Sequence, residues 1–98
     1  MKKKIIYIVG GSGLIGSEVV SQIDKSQFKV VVLDIKRSLK FKSNIKFQKL
    51  DCTKLNLIKK QLINCIKKFG KPNILINCSY PRTKEWSNID FKKENITI

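Results

Sequence analysis

The 98-residue sequence contains no histidine and only three cysteines, which leaves few side chains that could bind a metal ion. Cys52, Cys65 and Cys78 are thirteen residues apart, a spacing that matches no zinc motif. We therefore expect no metal site. An odd number of cysteines without a pairing pattern also favours reduced thiols, and so a cytoplasmic protein.

Long apolar runs are also missing from the sequence. The apolar run after the N-terminal lysines extends only from Ile5 to Val9 before two glycines. A membrane-spanning helix needs about 20 apolar residues, and the apolar part of a signal peptide about 7 to 15. We therefore expect no membrane segment and no secretory signal.

Acidic residues are scarce: seven stand against 21 lysines and arginines, which gives a formal net charge of +14. Such a charge can indicate nucleic-acid binding. However, Arg37 and Arg82 are the only arginines, and arginine is the preferred residue for reading bases and phosphates. The lysines are scattered, with no aromatic stripe between them. A lysine-rich nucleic-acid binder is therefore the least favoured alternative.

The apolar pattern predicts an α/β fold in one domain over residues 1–98. Continuous apolar runs predict buried strands at 5–9 and 30–33, with two more at 45–50 and 73–77. Residues spaced three or four apart predict two core-facing helical stripes, which contain Ile15, Val19 and Ile23, and Ile58, Leu62, Ile66 and Phe69. Gly70 is placed to end the second helix, and 90–98 to open another. Strands alternating with helices indicate a parallel, doubly wound sheet, with the expected order 3-2-1-4.

A glycine-rich turn joins the first strand to the first helix, with Gly10, Gly13 and Gly16 three residues apart. In a dinucleotide site, the first glycine allows the tight turn and the second lets the pyrophosphate approach the backbone. The third allows close packing of the helix. The phosphates would meet free N–H groups at the helix N-terminus, around Gly13 to Ile15.

An acidic residue lies at the end of the second predicted strand, the position from which a dinucleotide site binds the ribose. Asp34 ends the second strand, eighteen residues after Gly16, and is placed to accept the ribose hydroxyls. Because a carboxylate repels an additional phosphate, it favours NAD. Lys36 and Arg37 follow closely and could soften that preference, so NADP stays open.

Taken together, these residues resemble the N-terminal part of the short-chain dehydrogenases/reductases, a Rossmann-fold family of nicotinamide-dependent oxidoreductases. Gly10–Gly16 is similar to the family's cofactor turn, Asp51-Cys52-Thr53 to its adenine-binding motif, and Ile74–Tyr80 to the segment that closes the fourth strand. Cys78 and Tyr80 depart from the last motif, in which Asn77 keeps the polar signature. The resemblance implies an NAD(P) site, with cofactor-binding residues Gly10, Ser12, Gly13, Leu14, Ile15, Gly16, Asp34, Asp51, Cys52 and Asn77.

The resemblance also implies that the family's catalytic Ser and Tyr-x-x-x-Lys lie beyond Ile98. We therefore expect a truncated Rossmann fold and assign no catalytic residue. Tyr80 and Lys84 have the spacing of the catalytic pair, but they follow the fourth strand, and Pro81 disfavours a shared helical face. We interpret them as a chance match.

Two functions from different classes remain open. One is an oxidoreductase acting on a carbonyl or alcohol, and the other is a non-catalytic remnant that only binds the dinucleotide. The stretch "NCSYPR" is similar to a branch of oxidoreductases from bacterial surface-sugar and flagellin-glycan pathways, which makes a sugar one candidate substrate. Because the fourth strand lacks an outer neighbour, its unpaired edge also predicts self-association.

Overall fold

The structure, a computed structural model, describes residues 2–79 and contains four strands and two helices. The elements alternate along the chain as β1 (Lys4–Val9), α1 (Leu14–Gln22), β2 (Phe28–Asp34), β3 (Lys46–Lys49), α2 (Leu55–Phe69) and β4 (Ile74–Asn77). All strand pairings are parallel and the order is β3-β2-β1-β4. The predicted partial Rossmann-type sheet is therefore confirmed, with order 3-2-1-4.

The two helices cover opposite faces of the sheet. On one face, Val19 and Val20 of α1 and its C-cap residue Ile23 pack against Ile8 and Val32. On the other, Ile58, Leu62 and Cys65 of α2 pack against Tyr7 and Leu33. Successive strand residues point to opposite faces, so a strand covered on both sides must be apolar throughout. This explains the unbroken apolar runs of β1 and β2.

The predicted helical stripes are partly wrong. Ile15, in the first turn of α1, is 59 % exposed and therefore does not belong to the buried stripe. Ile66 is also exposed, whereas its neighbour Cys65 is completely buried. The buried stripe of α2 therefore contains Ile58, Leu62, Cys65 and Phe69. The spacing of four, three and four residues keeps these side chains on one helical face.

The end of α2 matches the prediction. Gly70 has φ +96°, a conformation that only glycine adopts readily, and its N–H donates to the carbonyl of Ile66 at 2.8 Å. The hydroxyl of buried Tyr7 donates to the Gly70 carbonyl, which ties the middle of β1 to this helix end. Burial is the main cause that raises the pKa of Tyr7, so its hydroxyl stays protonated as a donor.

At one edge of the sheet, β4 pairs only with β1 among the described residues. Ile74 is 42 % and Leu75 57 % exposed there. Tyr80, Lys84 and the helix predicted over 90–98 lie outside the described residues. Across residues 2–79, the helices are too short or too polar to cross a membrane, and no cluster of potential metal ligands forms.

Candidate functional site

A cavity of about 840 Å³ opens where the four parallel strands end. Its lining comes from the carboxyl end of each strand and the segment that follows it: residues 9, 10 and 12–16 at β1, 33–36 at β2, 50–53 after β3, and 78–79 after β4. The volume is within the range of small-molecule sites, and the carboxyl ends of the strands are the usual ligand position in such sheets.

Nine of the ten predicted cofactor-binding residues line this cavity: Gly10, Ser12, Gly13, Leu14, Ile15, Gly16, Asp34, Asp51 and Cys52. Asn77 is absent from the lining. Its side-chain oxygen accepts from the Ser79 N–H at 3.0 Å and from the Ser79 hydroxyl at 2.6 Å. Asn77 thus shapes the turn that carries Cys78 and Ser79 to the cavity wall, and direct contact between Asn77 and a ligand stays a prediction.

Gly10 makes the turn from β1 into the cavity wall. Its φ of +76° lies in the left-handed region, and its N–H donates to the carbonyl of Leu33 at 2.8 Å. A Cβ at this position would lie 2.7 Å from the Ser79 nitrogen. Both the backbone conformation and the close approach of the segment after β4 therefore require glycine.

Gly16 is needed for a different reason. A Cβ on Gly16 would lie 2.6 Å from the Cα of Gly11 and 2.9 Å from the carbonyl carbon of Gly10, and closer still to the Gly10 oxygen. These atoms belong to the backbone of the glycine-rich turn that precedes α1. Gly16 must therefore lack a side chain because α1 packs closely against this turn.

Gly13 has no conformational need to be glycine. It is the N-cap of α1 with φ −75° and ψ −179°, an extended conformation that any residue can adopt. Within residues 2–79, no side chain caps this helix N-terminus, whose first-turn N–H groups have no intrahelical partner. An N-cap without a side chain leaves these donors open toward the cavity.

The carboxylate of Asp34 is fixed by two backbone donors. Ser12 donates its N–H to Oδ2 at 3.0 Å, and Ile35 donates its N–H to Oδ1 at 2.7 Å. A carboxylate has about four lone-pair sites, so it can accept further hydrogen bonds. Asp34 therefore holds the glycine turn against β2 while keeping acceptors for a ligand.

Asp51 also lines the cavity, and local hydrogen bonds order its carboxylate. Its Oδ1 accepts from the Thr53 hydroxyl at 2.6 Å and from the Thr53 N–H at 3.0 Å. These two bonds lower the pKa of the Asp51 carboxyl, and the bond from the Thr53 hydroxyl has the larger effect. Asp51 is therefore an anion at neutral pH.

The predicted set of cofactor-binding residues leaves out several residues of the cavity lining: Ile35, Lys36, Leu50, Thr53, Cys78 and Ser79. Of these, Ile35 and Leu50 were not singled out in the sequence at all. Their common signal is position, because each lies at or just after the carboxyl end of a parallel strand. Extending the expected site by two residues past each strand would have found most of them.

Comparisons with known proteins agree with this geometry. A family model described as the NAD dependent epimerase/dehydratase family matches residues 6–98. The post-translational flagellin modification protein A of Campylobacter coli is 28 % identical over 101 residues, covering 93 % of this chain and 40 % of that protein. The chain therefore spans about 40 % of the length of this curated relative.

Solved structures show the same fold. A short-chain dehydrogenase from Leptospira borgpetersenii serovar Hardjo-bovis with bound NAD+ has a TM-score of 0.69 and 28 % identity, over 90 % of this chain and 39 % of that chain. The epimerase Mth375 from Methanothermobacter thermautotrophicus has a TM-score of 0.65 and 22 % identity, over 98 % and 28 %. The resemblance to short-chain dehydrogenases is thereby confirmed, and the chain belongs to the NAD dependent epimerase/dehydratase family.

Proposed function

We propose that this chain binds a nicotinamide dinucleotide in the cavity at the ends of the strands. The observation that carries the proposal is the N-terminus of α1, whose N-cap residue, Gly13, lines the cavity and provides no capping side chain. Free N–H groups and the positive end of the helix dipole favour a pyrophosphate at this position. Because the backbone of Gly13 does not require glycine, its missing side chain is best explained by space for a ligand.

The adenosine half of the ligand would lie between β2 and β3. Asp34 would accept the ribose hydroxyls, and the segment from Asp51 to Thr53 would border the adenine ring. NAD is the preferred cofactor in this proposal, because the Asp34 carboxylate would repel a phosphate on the 2′-oxygen.

The whole protein, in this proposal, is an oxidoreductase that acts on a carbonyl or alcohol in the cytoplasm. The bound dinucleotide supplies or accepts the hydride, while the described residues bind and orient it. A sugar substrate is supported by the relative named as a flagellin modification protein. The alternative is a chain that binds the dinucleotide without catalysing a reaction, and hydride transfer by the 98-residue chain would exclude this alternative.

The variant Gly13→Ser tests the pyrophosphate site. Serine is a preferred N-cap, so it should leave the melting temperature unchanged or slightly higher. Its hydroxyl would, however, accept from the N–H groups that the proposal gives to the phosphates. We expect NAD and ADP affinity, measured by calorimetry, to fall roughly tenfold or more, since hydrogen bonds to charged groups contribute about 1.5–3 kcal/mol.

The matched control is Gln22→Ser, which adds a serine at the exposed far end of the same helix. It should leave both affinities unchanged. If Gly13→Ser binds NAD as tightly as the unaltered chain, the pyrophosphate does not lie at this helix terminus and the proposed site is wrong.

A further inference from the structure

The fourth strand, β4, has little packing of its own. Its side chains from Ile74 to Asn77 are exposed except for the half-buried Ile76, and among the described residues it pairs only with β1. Where one face of a strand is buried, its apolar side chains fix its register, because a shift of one residue would turn them toward water. Burial therefore does little to fix the position of β4 along β1.

The connection that enters β4 from α2 is tied to β1 by other contacts. Asn73 donates its backbone N–H to the carbonyl of Ile5 at 2.8 Å, and its side-chain oxygen accepts the Ile5 N–H at 2.8 Å. One residue thus meets both backbone groups of Ile5. The side chain of Asn73 takes the place of a strand carbonyl at the beginning of the β1–β4 ladder.

Tyr7 provides a second tie, two residues further along β1. Its buried hydroxyl donates to the carbonyl of Gly70, the residue that ends α2. Gly70 also approaches β1 closely, since a Cβ on it would lie 2.9 Å from Cδ1 of Ile5. The end of α2 is therefore fixed against β1 three residues before Asn73, and the chain that leads into β4 cannot slide freely.

The position of β4 matters at its other end, where Cys78 and Ser79 line the cavity and form what we call the β4 wall. Cys78 donates its N–H to the carbonyl of Val9 at 2.7 Å, and a Cβ on Gly10 would lie 2.7 Å from the Ser79 nitrogen. A strand advances about 3.3 Å per residue, and a slip of two residues is the smallest that keeps each side chain on its face. Such a slip of β4 would move the β4 wall by about 6–7 Å.

In the proposed function, the β4 wall borders the second half of the dinucleotide. The strand order is β3-β2-β1-β4, the proposed adenosine site lies between β2 and β3, and the pyrophosphate site lies at the N-terminus of α1, after β1. A dinucleotide that crosses the strand ends in this direction reaches β4 next. ADP lacks the second half and ends before the β4 wall.

We infer that Asn73 and Tyr7 are positioning residues: they fix the register of β4 from the end opposite the cavity. Through β4 they hold the β4 wall beside the nicotinamide half of the ligand. This inference rests on the proposed function. Neither residue lines the cavity, so both act on the ligand through the strand.

Calorimetry of NAD and ADP binding to the 98-residue chain tests this role in Asn73→Ala and Tyr7→Phe. Each variant removes one hydrogen bond at the entry to β4, which can shift the register equilibrium by up to about tenfold. Because the apparent affinity falls with the competent fraction, NAD binding should weaken about threefold to tenfold. ADP does not reach the β4 wall, so its affinity should change by less than about twofold.

Two further variants are controls. Asn73→Asp keeps a side-chain oxygen that can accept the Ile5 N–H, so it should bind NAD within about twofold of the unaltered chain. Asn64→Ala makes the same substitution as Asn73→Ala at an exposed position of α2, and it should change neither affinity. A general loss of stability would weaken NAD and ADP by the same factor.

Hydrogen exchange tests the register without any ligand. The Cys78 N–H, which donates to Val9 at the end of β4, should exchange faster in both Asn73→Ala and Tyr7→Phe. The Gly10 N–H, which donates to the carbonyl at position 33 in β2, should keep the exchange rate of the unaltered chain. If Cys78 exchange is unchanged, or if NAD and ADP weaken equally, the positioning role is wrong.

The outcomes separate this inference from the proposed function. If the unaltered chain binds neither NAD nor ADP, the proposed function fails, while hydrogen exchange still decides whether Asn73 and Tyr7 fix β4. If the chain binds both ligands and the variants leave both affinities unchanged, the proposed function stands and the inference alone fails. An effect in only one of the two variants overturns the role of the other residue.

Discussion

Replacing Gly16 by alanine should destabilise the fold, although alanine is the better helix former. Gly16 is the third residue of α1, and it is buried against the glycine turn. A Cβ there would lie 2.6 Å from the Cα of Gly11 and 2.9 Å from the carbonyl carbon of Gly10. Both are backbone atoms of a turn held by the hydrogen bond from the Gly10 N–H to Leu33, so they cannot rotate away as a side chain can.

The magnitude follows from two opposing effects. Forcing an additional carbon into a packed site costs about 1–3 kcal/mol, and a rigid backbone neighbour favours the upper value. The better helix propensity of alanine offsets about 1 kcal/mol. The net loss is about 2 kcal/mol, which corresponds to a fall in melting temperature of about 8–16 °C for a domain of this size.

Thermal unfolding followed by far-ultraviolet circular dichroism measures this change. Ser21→Ala is the matched control, because Ser21 is exposed on the same helix and its replacement should change stability by less than about 0.5 kcal/mol. A Gly16→Ala variant that melts at or above the temperature of the unaltered chain would refute the close approach between α1 and the turn.

Three further predictions concern other parts of the molecule. Saturating ADP should slow the alkylation of exposed Cys52, measured by mass spectrometry, because Cys52 lines the cavity. Buried Cys65 should react only when the chain unfolds. Equal alkylation rates of Cys52 with and without ADP would contradict the assignment of the cavity as the nucleotide site. The 98-residue chain should self-associate through the exposed edge of β4. Leu75→Lys should lower the mass measured by analytical ultracentrifugation, and an unchanged mass would mean that another surface mediates the association. Thr53→Val should raise the pKa of Asp51 toward its ordinary value of about 4, which an NMR titration would detect. Because Asp51 has a lowered pKa when folded, its stabilising contribution is lost as pH falls below about 4, and this loss should be smaller in the variant.

The arrangement of the sheet could be predicted because its signals are strong and local. Val30–Leu33 is apolar without interruption, which indicates a strand covered on both faces, and right-handed crossovers then restrict the strand order. β3 was harder to delimit, since Lys46–Lys49 contains two lysines and only partly buried residues between them. Its predicted limits were one residue too wide at each end.

Helix faces were less predictable than strands. Ile15 continues the spacing of Val19 and Ile23, but burial also depends on what lies opposite each turn. At the first turn of α1 the neighbour is the cavity, so an isoleucine there is exposed. On α2, the prediction chose Ile66 because isoleucine is more hydrophobic than cysteine. Cys65, however, lies on the helical face that packs against the sheet, and Ile66 does not.

The hydrogen bonds of the site could not be read from the sequence. The bond from the Ser12 N–H to Asp34 joins residues 22 positions apart, and its donor is a backbone group that every residue except proline carries. The Arg37 guanidinium likewise donates to four backbone carbonyls, those of Ser38, Phe41, Lys42 and Ile45. The pattern of residue types could not predict these contacts either. The sequence therefore located the acidic residue, while its hydrogen-bond partners required the structure.

The charge of the cavity supports recognition of a dinucleotide over nucleic acid. The whole chain has 21 basic and seven acidic residues, yet the described lining has the acidic residues Asp34 and Asp51 and the basic residue Lys36. A groove for a polyphosphate backbone would be lined mainly by cations. A dinucleotide instead needs acceptors for ribose hydroxyls and donors for one pyrophosphate, and the backbone N–H groups of α1 can provide those donors without a basic side chain. Within residues 2–79, every lysine except Lys36 lies outside the cavity lining, where lysine acts on solubility and long-range attraction of anions rather than on recognition within the site.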